Sequence, residues 1–374
     1  MEFDLSDTQR MMQQAARTFL AGECPTARVR RLMASDNAFD AELWSAMAQQ
    51  GWLGILVDET HGGLGLGLVE LVAVAEEMGR ACLPGSFLAT TWAAATLRSI
   101  APTPKVSSIL ARIAPGEMRA TVALLEESLN WSGESAALPA TRSLGDVRLN
   151  GRKLLVLDAE VAELILVPAL LEGELALVAV EGRPKGLSIR ATPGIDATRK
   201  LYELAFDDVT LSTDLLLATG AAAELAIRRG IDAATVAVCA ELVGGMQWTL
   251  ETATAYVQTR EQFGRAIGSF QAVQHQLADV LLWLESSRSA AYYAAWALNE
   301  NDPGAAAAIS SAKAYVSDAA REVGNRGVQV HGGIGFTWEH DLQLYYKRAK
   351  ADEILCGDAT FHRARLAELV IDVA

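Results

Sequence analysis

A carboxylate set among apolar and glycine neighbours is the first residue able to do chemistry: Glu241 lies in Ala240-Glu241-Leu242-Val243-Gly244-Gly245, directly after Cys239. An acid so placed is either buried for a reason or aimed at an interface. A second carboxylate, Asp358, follows Cys356-Gly357. Glycines gather between Gly62 and Gly67, a pattern that is more often a turn than a phosphate cradle. Arg260-Glu261-Gln262-Phe263-Gly264 sets a cation beside an aromatic ring, and Gly332-Gly333 follows Gln329. Taken singly, Arg260 fits a cation at a helix end, Phe263 and Phe270 fit core residues, and Gly332-Gly333 fits a turn. The cysteines Cys24, Cys82, Cys239 and Cys356 have no CxxC spacing. Neither a zinc site nor a disulfide framework is expected, and the thiols should be reduced.

The elements that must position these residues change period along the chain. From Leu5 to about Pro102 apolar residues recur at helical spacing, as in Leu43, Trp44, Met47 and again in Leu68, Leu71, Val72, Ala75, Met78. One interruption, Gly51 to Val57 followed by His61-Gly62-Gly63-Leu64-Gly65, predicts a short extended segment and a glycine turn. From about Met118, runs rich in Val, Leu and Ile alternate with turn signals such as Leu149-Asn150-Gly151 and Gly182-Arg183-Pro184. Strands are expected at Val147-Leu149, Lys153-Leu157, Leu164-Val167, Leu175-Val180, Leu187-Arg190 and Tyr202-Phe206. Near Thr219 the helical period returns, with long segments at Ala221 to Thr259, Ser269 to Asn299 and Pro303 to Val328. The expected fold is α+β: an N-terminal α-helical domain over 1–117, a middle β-sheet or barrel domain over 118–218, and a C-terminal four-helix bundle over 219–374.

At 374 residues and 51% hydrophobic the chain can bury one large core or several smaller ones. Its 46 acidic against 32 basic residues give a formal charge of -14, which repels phosphate backbones and anionic lipid heads. Nucleic acid and membrane surfaces are therefore not expected as partners. Met1 to Asp7 is acidic and unlike a signal peptide, and the apolar run Leu154 to Leu170 is broken by Asp158, Glu160 and Glu163. A cytoplasmic protein is expected.

Three segments, in this order, resemble acyl-CoA dehydrogenases. The first is Gly51-Trp52-Leu53-Gly54 with Glu59, Gly62-Gly63-Leu64-Gly65 and Glu76-Glu77-Met78-Gly79-Arg80. The second is Arg260-Glu261-Gln262-Phe263-Gly264, continued by Ile267-Gly268-Ser269-Phe270-Gln271 and Leu277-Ala278-Asp279. The third runs from Val328-Gln329-Val330-His331 through Gly332-Gly333-Ile334-Gly335-Phe336 to Glu339 and Tyr345. The resemblance implies FAD as cofactor, whose anionic diphosphate and flat adenine need a cation, backbone donors and close approach. By that resemblance Arg260 pairs with the diphosphate, Gln262 and Phe263 bound the adenine half with Ile267 and Phe270 beside them, and Gln271 adds a polar contact. Gln329 and the Gly332-Gly333 backbone then reach the dinucleotide of a neighbouring subunit, so FAD binding crosses an interface. The implied reaction removes the α-proton of an acyl-CoA to a carboxylate while a hydride leaves the β-carbon, giving a 2,3-enoyl-CoA. Electron-transfer flavoprotein is the implied acceptor.

The sequence departs from the family where the ring and the base are held. Ile354-Leu355-Cys356-Gly357-Asp358 places Cys356 where many members have the catalytic Glu, and a thiol is no resting base at neutral pH without activation. The other place for the base, on the preceding long helix, is Ala234. Glu241, two turns further on, is the candidate base, with Asp358 the runner-up. The family's Thr-Glu-Pro-x-x-Gly-Ser-Asp turn corresponds to Leu125-Glu126-Glu127-Ser128-Leu129-Asn130-Trp131-Ser132, and a hydroxyl facing the flavin becomes Val156. Three functions follow: a homotetrameric dehydrogenase using Glu241; a catalytically incomplete subunit of an α2β2 heterotetramer, of the bacterial sterol side-chain type, that lends its dinucleotide clamp to a homologous partner; and a flavin oxidase or monooxygenase using Asp358.

Overall fold

The computed structural model of the chain describes residues 4–143 and 145–371, so the acidic start is described only from Asp4. Helices come first: α1 (Asp7–Glu23), α2 (Thr26–Met33), α3 (Ala41–Gln49), α4 (Leu68–Arg80), α5 (Phe87–Leu97) and α6 (Pro104–Ile113). Their starts are written in the sequence. Ser6 and Gln9 exchange side-chain and backbone hydrogen bonds in a capping box before α1, Asp40 caps α3, and Thr103 caps α6 with Pro104 in its first turn. Every residue of α5 is buried, which is why its apolar residues show no one-sided stripe.

The strands follow as β1 (Ala120–Val122), β2 (Pro139–Ser143), β3 (Asp146–Leu157), β4 (Leu164–Leu171), β5 (Glu174–Glu181), β6 (Leu187–Thr192), β7 (Leu201–Ser212) and β8 (Leu216–Thr219). They form one sheet in the order β6-β7-β3-β2-β4-β5-β8, with β1 beside the start of β4. Pairing is antiparallel except for β1 and β2, which both run parallel to β4. One face buries a core that includes Val147, Leu149, Ile165, Val167, Val178, Val180, Leu204 and Phe206.

The chain then returns to helix in α7 (Gly220–Thr259), crosses a small hairpin of β9 (Glu261–Gln262) and β10 (Arg265–Ala266), and ends in α8 (Gln271–Asn299), α9 (Ala305–His331), α10 (Leu342–Ile354) and α11 (Ala359–Val370). By length and composition α7 could cross a membrane, but 78% of its most apolar window is buried inside the protein, as in a core helix.

Residues gather into two compact units. One contains the chain up to Arg30, Leu68–Leu83 and the chain from Thr235 onward; the other contains Arg31–Gly67 and Pro84–Ala234. In the first, α8 and α9 pack together, α10 and α11 pack on α9, and α4 lies against α1 and α8. There α4 also crosses α7 at backbone contact: a Cβ on Gly79 would lie 2.0 Å from the Glu241 carbonyl oxygen, and one on Gly244 would lie 1.8 Å from that of Glu76.

Helix, sheet and long helices occur in the expected order, with two local corrections. Gly51 to Val57 is not extended: it holds a 3-10 turn at Trp52–Gly54, a second follows at Glu59–His61, and Gly51 (φ +77°) and Gly62 (φ +79°) are left-handed. The run is apolar because Trp52 through Val57 are all buried, not because a strand alternates. Leu64, Gly65 and Leu66 donate back to the Gly54, Val57 and Ile55 carbonyls, and a Cβ on Gly63 would lie 2.0 Å from the Val57 carbonyl oxygen. These glycines serve close packing. The second correction is Leu149-Asn150-Gly151, which is not a hairpin turn but an irregularity within β3, where the register to β7 shifts between Leu149 and Gly151 and Gly151 takes φ +121°.

Candidate dinucleotide clamp and the two carboxylates

The second and third motifs meet at one end of the helices in the first unit. Tyr256, one turn before Arg260, stacks on His331 at 4.6 Å between ring centroids, which brings the end of α7 to the end of α9. Beyond Tyr256 the chain turns back on itself: Ile267 donates its N–H to the Arg260 carbonyl at 2.8 Å, and Arg265 pairs with Gln262 across the β9–β10 hairpin. Phe270 forms the base of this hairpin, with the Arg265 guanidinium 4.0 Å over its ring and Phe263 edge-on at 6.2 Å. Phe263 itself is 93% exposed. An aromatic side chain held in place yet left almost wholly in solvent is unusual, because its burial elsewhere would be favourable by about 2 kcal/mol.

Arg260, Gln262, Gln271 and Gln329 are exposed, and Ile267 is half-buried below them. Gly332 has φ +63°, a conformation that side chains rarely adopt, and a Cβ on Gly332 or Gly333 would meet nothing within 4 Å. The α9 helix therefore ends in bare, open backbone next to the Tyr256–His331 stack, with Arg260 one turn beyond Tyr256. An anionic diphosphate with a flat base fits such a surface.

Neither carboxylate lies there. Glu241 is 4% exposed, and its Oε2 lies 3.8 Å from Nη1 of Arg348, itself buried on α10 and donating to the Leu83 carbonyl at 3.1 Å. The cavity that Glu241 lines has about 20 Å³, room for one water and no acyl chain. Asp358 accepts a hydrogen bond from the Phe361 N–H at 2.8 Å and so caps α11.

The segment at the usual base position is turned inward and fastened. Cys356 is buried with φ +61°, and its carbonyl oxygen lies 2.9 Å from Nε2 of His362. Burial holds the His362 imidazole neutral, its pKa pushed down to about 4. On the other side Lys313, fully buried on α9, donates to the carbonyls of Glu353 at 2.9 Å and Gly357 at 2.8 Å and to Ser317 Oγ at 3.1 Å. Burial lowers its pKa. Lys313 and Arg348 did not emerge from motif reasoning. The available signal was a single lysine among small residues in Ser310-Ser311-Ala312-Lys313-Ala314, a pattern that asks for a buried partner.

In the second unit, the turn that replaces the family's small-residue segment is closed by its own bonds. Glu126 accepts from the backbone N–H groups of Ala137 and Leu138 and from Lys153 Nζ at 2.6 Å. Burial pushes Lys153 down to about 8 against the pull of that carboxylate. Trp131 rests against Trp92 at 6.5 Å, Leu129 stands half in solvent at φ +50°, and Val156 is buried.

Helices, a mostly antiparallel sheet and a second set of long helices define the acyl-CoA dehydrogenase class of fold. Residues 6–117 match the family model for the acyl-CoA dehydrogenase N-terminal domain, and residues 224–371 match that for the C-terminal domain. The chain belongs to the acyl-CoA dehydrogenase family, an oxidoreductase family whose cofactor is FAD. Acyl-CoA dehydrogenase IpdE2 of Mycobacterium tuberculosis (strain ATCC 25618 / H37Rv) is 29% identical over 345 residues, 92% of this chain and 91% of that protein. The solved steroid ACAD Tcur3481-Tcur3483 matches with a TM-score of 0.89 at 29% identity, covering 98% of each chain. The ChsE4-ChsE5 complex from Mycobacterium tuberculosis matches with a TM-score of 0.90 at 27% identity, covering 99% of each chain.

Proposed function

We propose that this chain is the clamp-bearing, base-lacking subunit of a heteromeric FAD-dependent acyl-CoA dehydrogenase that converts an acyl-CoA thioester to its 2,3-enoyl-CoA. One observation carries the reading: the segment where the family's glutamate base belongs is a buried thiol in a turn bolted by Lys313 and His362. Glu241 does not replace that base, because its carboxylate faces Arg348 across a cavity of about 20 Å³. Asp358 is committed to capping α11.

In this reading Arg260 holds the FAD diphosphate, Phe263 and Gln262 bound the adenine half, and Gln329 with the Gly332-Gly333 backbone supplies further contacts. Preformed donors hold the dinucleotide without reorganising, which favours affinity. FAD, when bound, accepts the hydride lost from the substrate β-carbon. A homologous subunit provides the small-residue turn that lies against the flavin ring and the carboxylate that takes the α-proton. Electron-transfer flavoprotein then reoxidises the complex. That the steroid ACAD Tcur3481-Tcur3483 and the ChsE4-ChsE5 complex each join two differently named proteins supports a heteromer, and the steroid ACAD points to a sterol-derived acyl group.

The test is to express the chain alone and with a homologue that carries both the Gly-Ser-Asp turn and the glutamate. Alone it should neither hold stoichiometric FAD nor turn over acyl-CoA; together both should appear. One FAD per chain and acyl-CoA turnover from the isolated chain would refute the proposal.

A further inference from the structure

A cleft of about 860 Å³ opens in the first unit among α1, α4, α7 and α8 and shares no residue with the dinucleotide clamp. Its volume is in the range of small-molecule sites. The floor is a closed polar network. Glu76, buried on α4, accepts from Arg288 Nε at 3.0 Å, from the Tyr292 hydroxyl at 2.9 Å and from Gln13 at 3.3 Å. Burial raises the Glu76 pKa, and the same burial together with the Glu76 charge raises that of Tyr292. Arg288 also donates to Gln247 Oε1 at 2.8 Å, and Arg17 on α1 is held by Glu77 at 2.8 Å.

The rim is different. Arg10 is paired at 2.9 Å with Asp4, and the outer nitrogen of Arg288 is paired with Glu285; both acids are more than half exposed. Such exposed pairs contribute little and open readily. The Arg10 guanidinium and the outer nitrogen of Arg288 therefore face one cleft with only weakly held counter-ions, while Arg17 and the inner nitrogens of Arg288 keep their buried partners. Leu5, Val69 and Trp296 supply an apolar wall in the same cleft.

We propose that this cleft is a second small-molecule site, for an amphiphile with a carboxylate head. The head replaces the rim acids between Arg10 and Arg288, and the apolar body lies along Leu5, Val69 and Trp296. Guanidinium fits a carboxylate in planar two-point contact, which an exposed side-chain acid at the rim makes only intermittently. The inference does not depend on the flavin reading, since it uses neither the clamp nor the base position.

Decanoate is the probe, measured by isothermal titration calorimetry on the full chain, with decanol and decyltrimethylammonium as uncharged and cationic counterparts. Decanoate should bind at one site, and the other two should not. Arg10→Ser should weaken decanoate about tenfold or more, the usual effect of losing a charge-assisted contact. Glu285→Gln should strengthen it, because a competing anion is gone. Ser289→Trp, which fills the cleft from its α8 side, should abolish binding while leaving the thermal melt unchanged. Equal binding of all three probes, no decanoate binding, or an unchanged affinity in Glu285→Gln with a native melt would each overturn the proposal.

Discussion

Changing Glu241 to Gln separates the two roles open to that acid. If Glu241 is one half of a buried ion pair with Arg348, 3.8 Å away and with both side chains about 5% exposed, its loss removes a carboxylate that faces that guanidinium in the core. Breaking such a pair costs about 3–5 kcal/mol, and glutamine, which keeps shape and an oxygen acceptor, should fall near about 3 kcal/mol. For 374 residues the unfolding entropy is about 0.8 kcal/mol/K, so Tm should drop by about 4 °C, or about twice that if the first unit melts alone. The assay is a thermal melt of the chain, paired with flavin reduction by acyl-CoA in the assembled complex. The structural role predicts a lower Tm and an undiminished rate of flavin reduction. A catalytic base would give the opposite, an unchanged Tm and a rate lowered by about 10²-fold or more. That second pattern would refute the reasoning.

Three further outcomes test neighbouring parts of the structure. Arg260→Ala and Phe263→Ala alter exposed side chains, so stability of the isolated chain should stay within about 0.5 kcal/mol of wild type while FAD content of the complex, read by flavin absorbance, falls sharply. Gly244→Ala would press a methyl group to 1.8 Å from the Glu76 carbonyl oxygen, where no flexible atom can give way; soluble yield and Tm should both collapse. The His362 pKa lies at about 4 in the folded chain against about 6.5 unfolded, so the unfolded state binds the extra proton between those values. Stability from this group is complete above about pH 6.5 and drains away by about 3 kcal/mol as pH falls to about 4; in His362→Gln, denaturant melts across that window should show a flatter dependence.

Much of this was legible in the sequence, for reasons that differ by element. Long helices such as α7 and α8 announce themselves because a 3.6-residue period sustained over many turns has few alternatives. Gly51 to Val57 misled because an apolar run buried on all sides looks the same whether it is extended or tightly turned. Leu149-Asn150-Gly151 misled because a bulge and a hairpin ask for the same residues. The strands β1, β2 and β8 went unseen, β1 and β8 being too short to show a period and β2 mostly polar. Among site residues, the motifs pointed to Arg260, Phe263 and Gly332 because those are local signals. Lys313 and Arg348 were not legible, since their roles come from partners 40 and 107 positions away along the chain, Glu353 and Glu241.

The departures from the family are more telling than the matches, because the segments that carry them are closed by their own bonds. A glutamate replaced by a thiol would by itself leave an open pocket with one wrong atom. Instead the turn around Cys356 is drawn inward by a buried lysine and a neutral histidine, both spent on its backbone carbonyls. A buried ammonium is costly to keep, and three oxygen acceptors aimed at it offset that cost. Glu126 likewise gathers two backbone N–H groups and Lys153 on its carboxylate and so closes its own turn. Meanwhile the hairpin carrying Phe263 leaves its ring exposed, which forgoes the free energy that burial would contribute unless something covers the ring. In the proposed reading, sealed base segment and open clamp are two sides of one arrangement, in which a second polypeptide would cover the surface left exposed here.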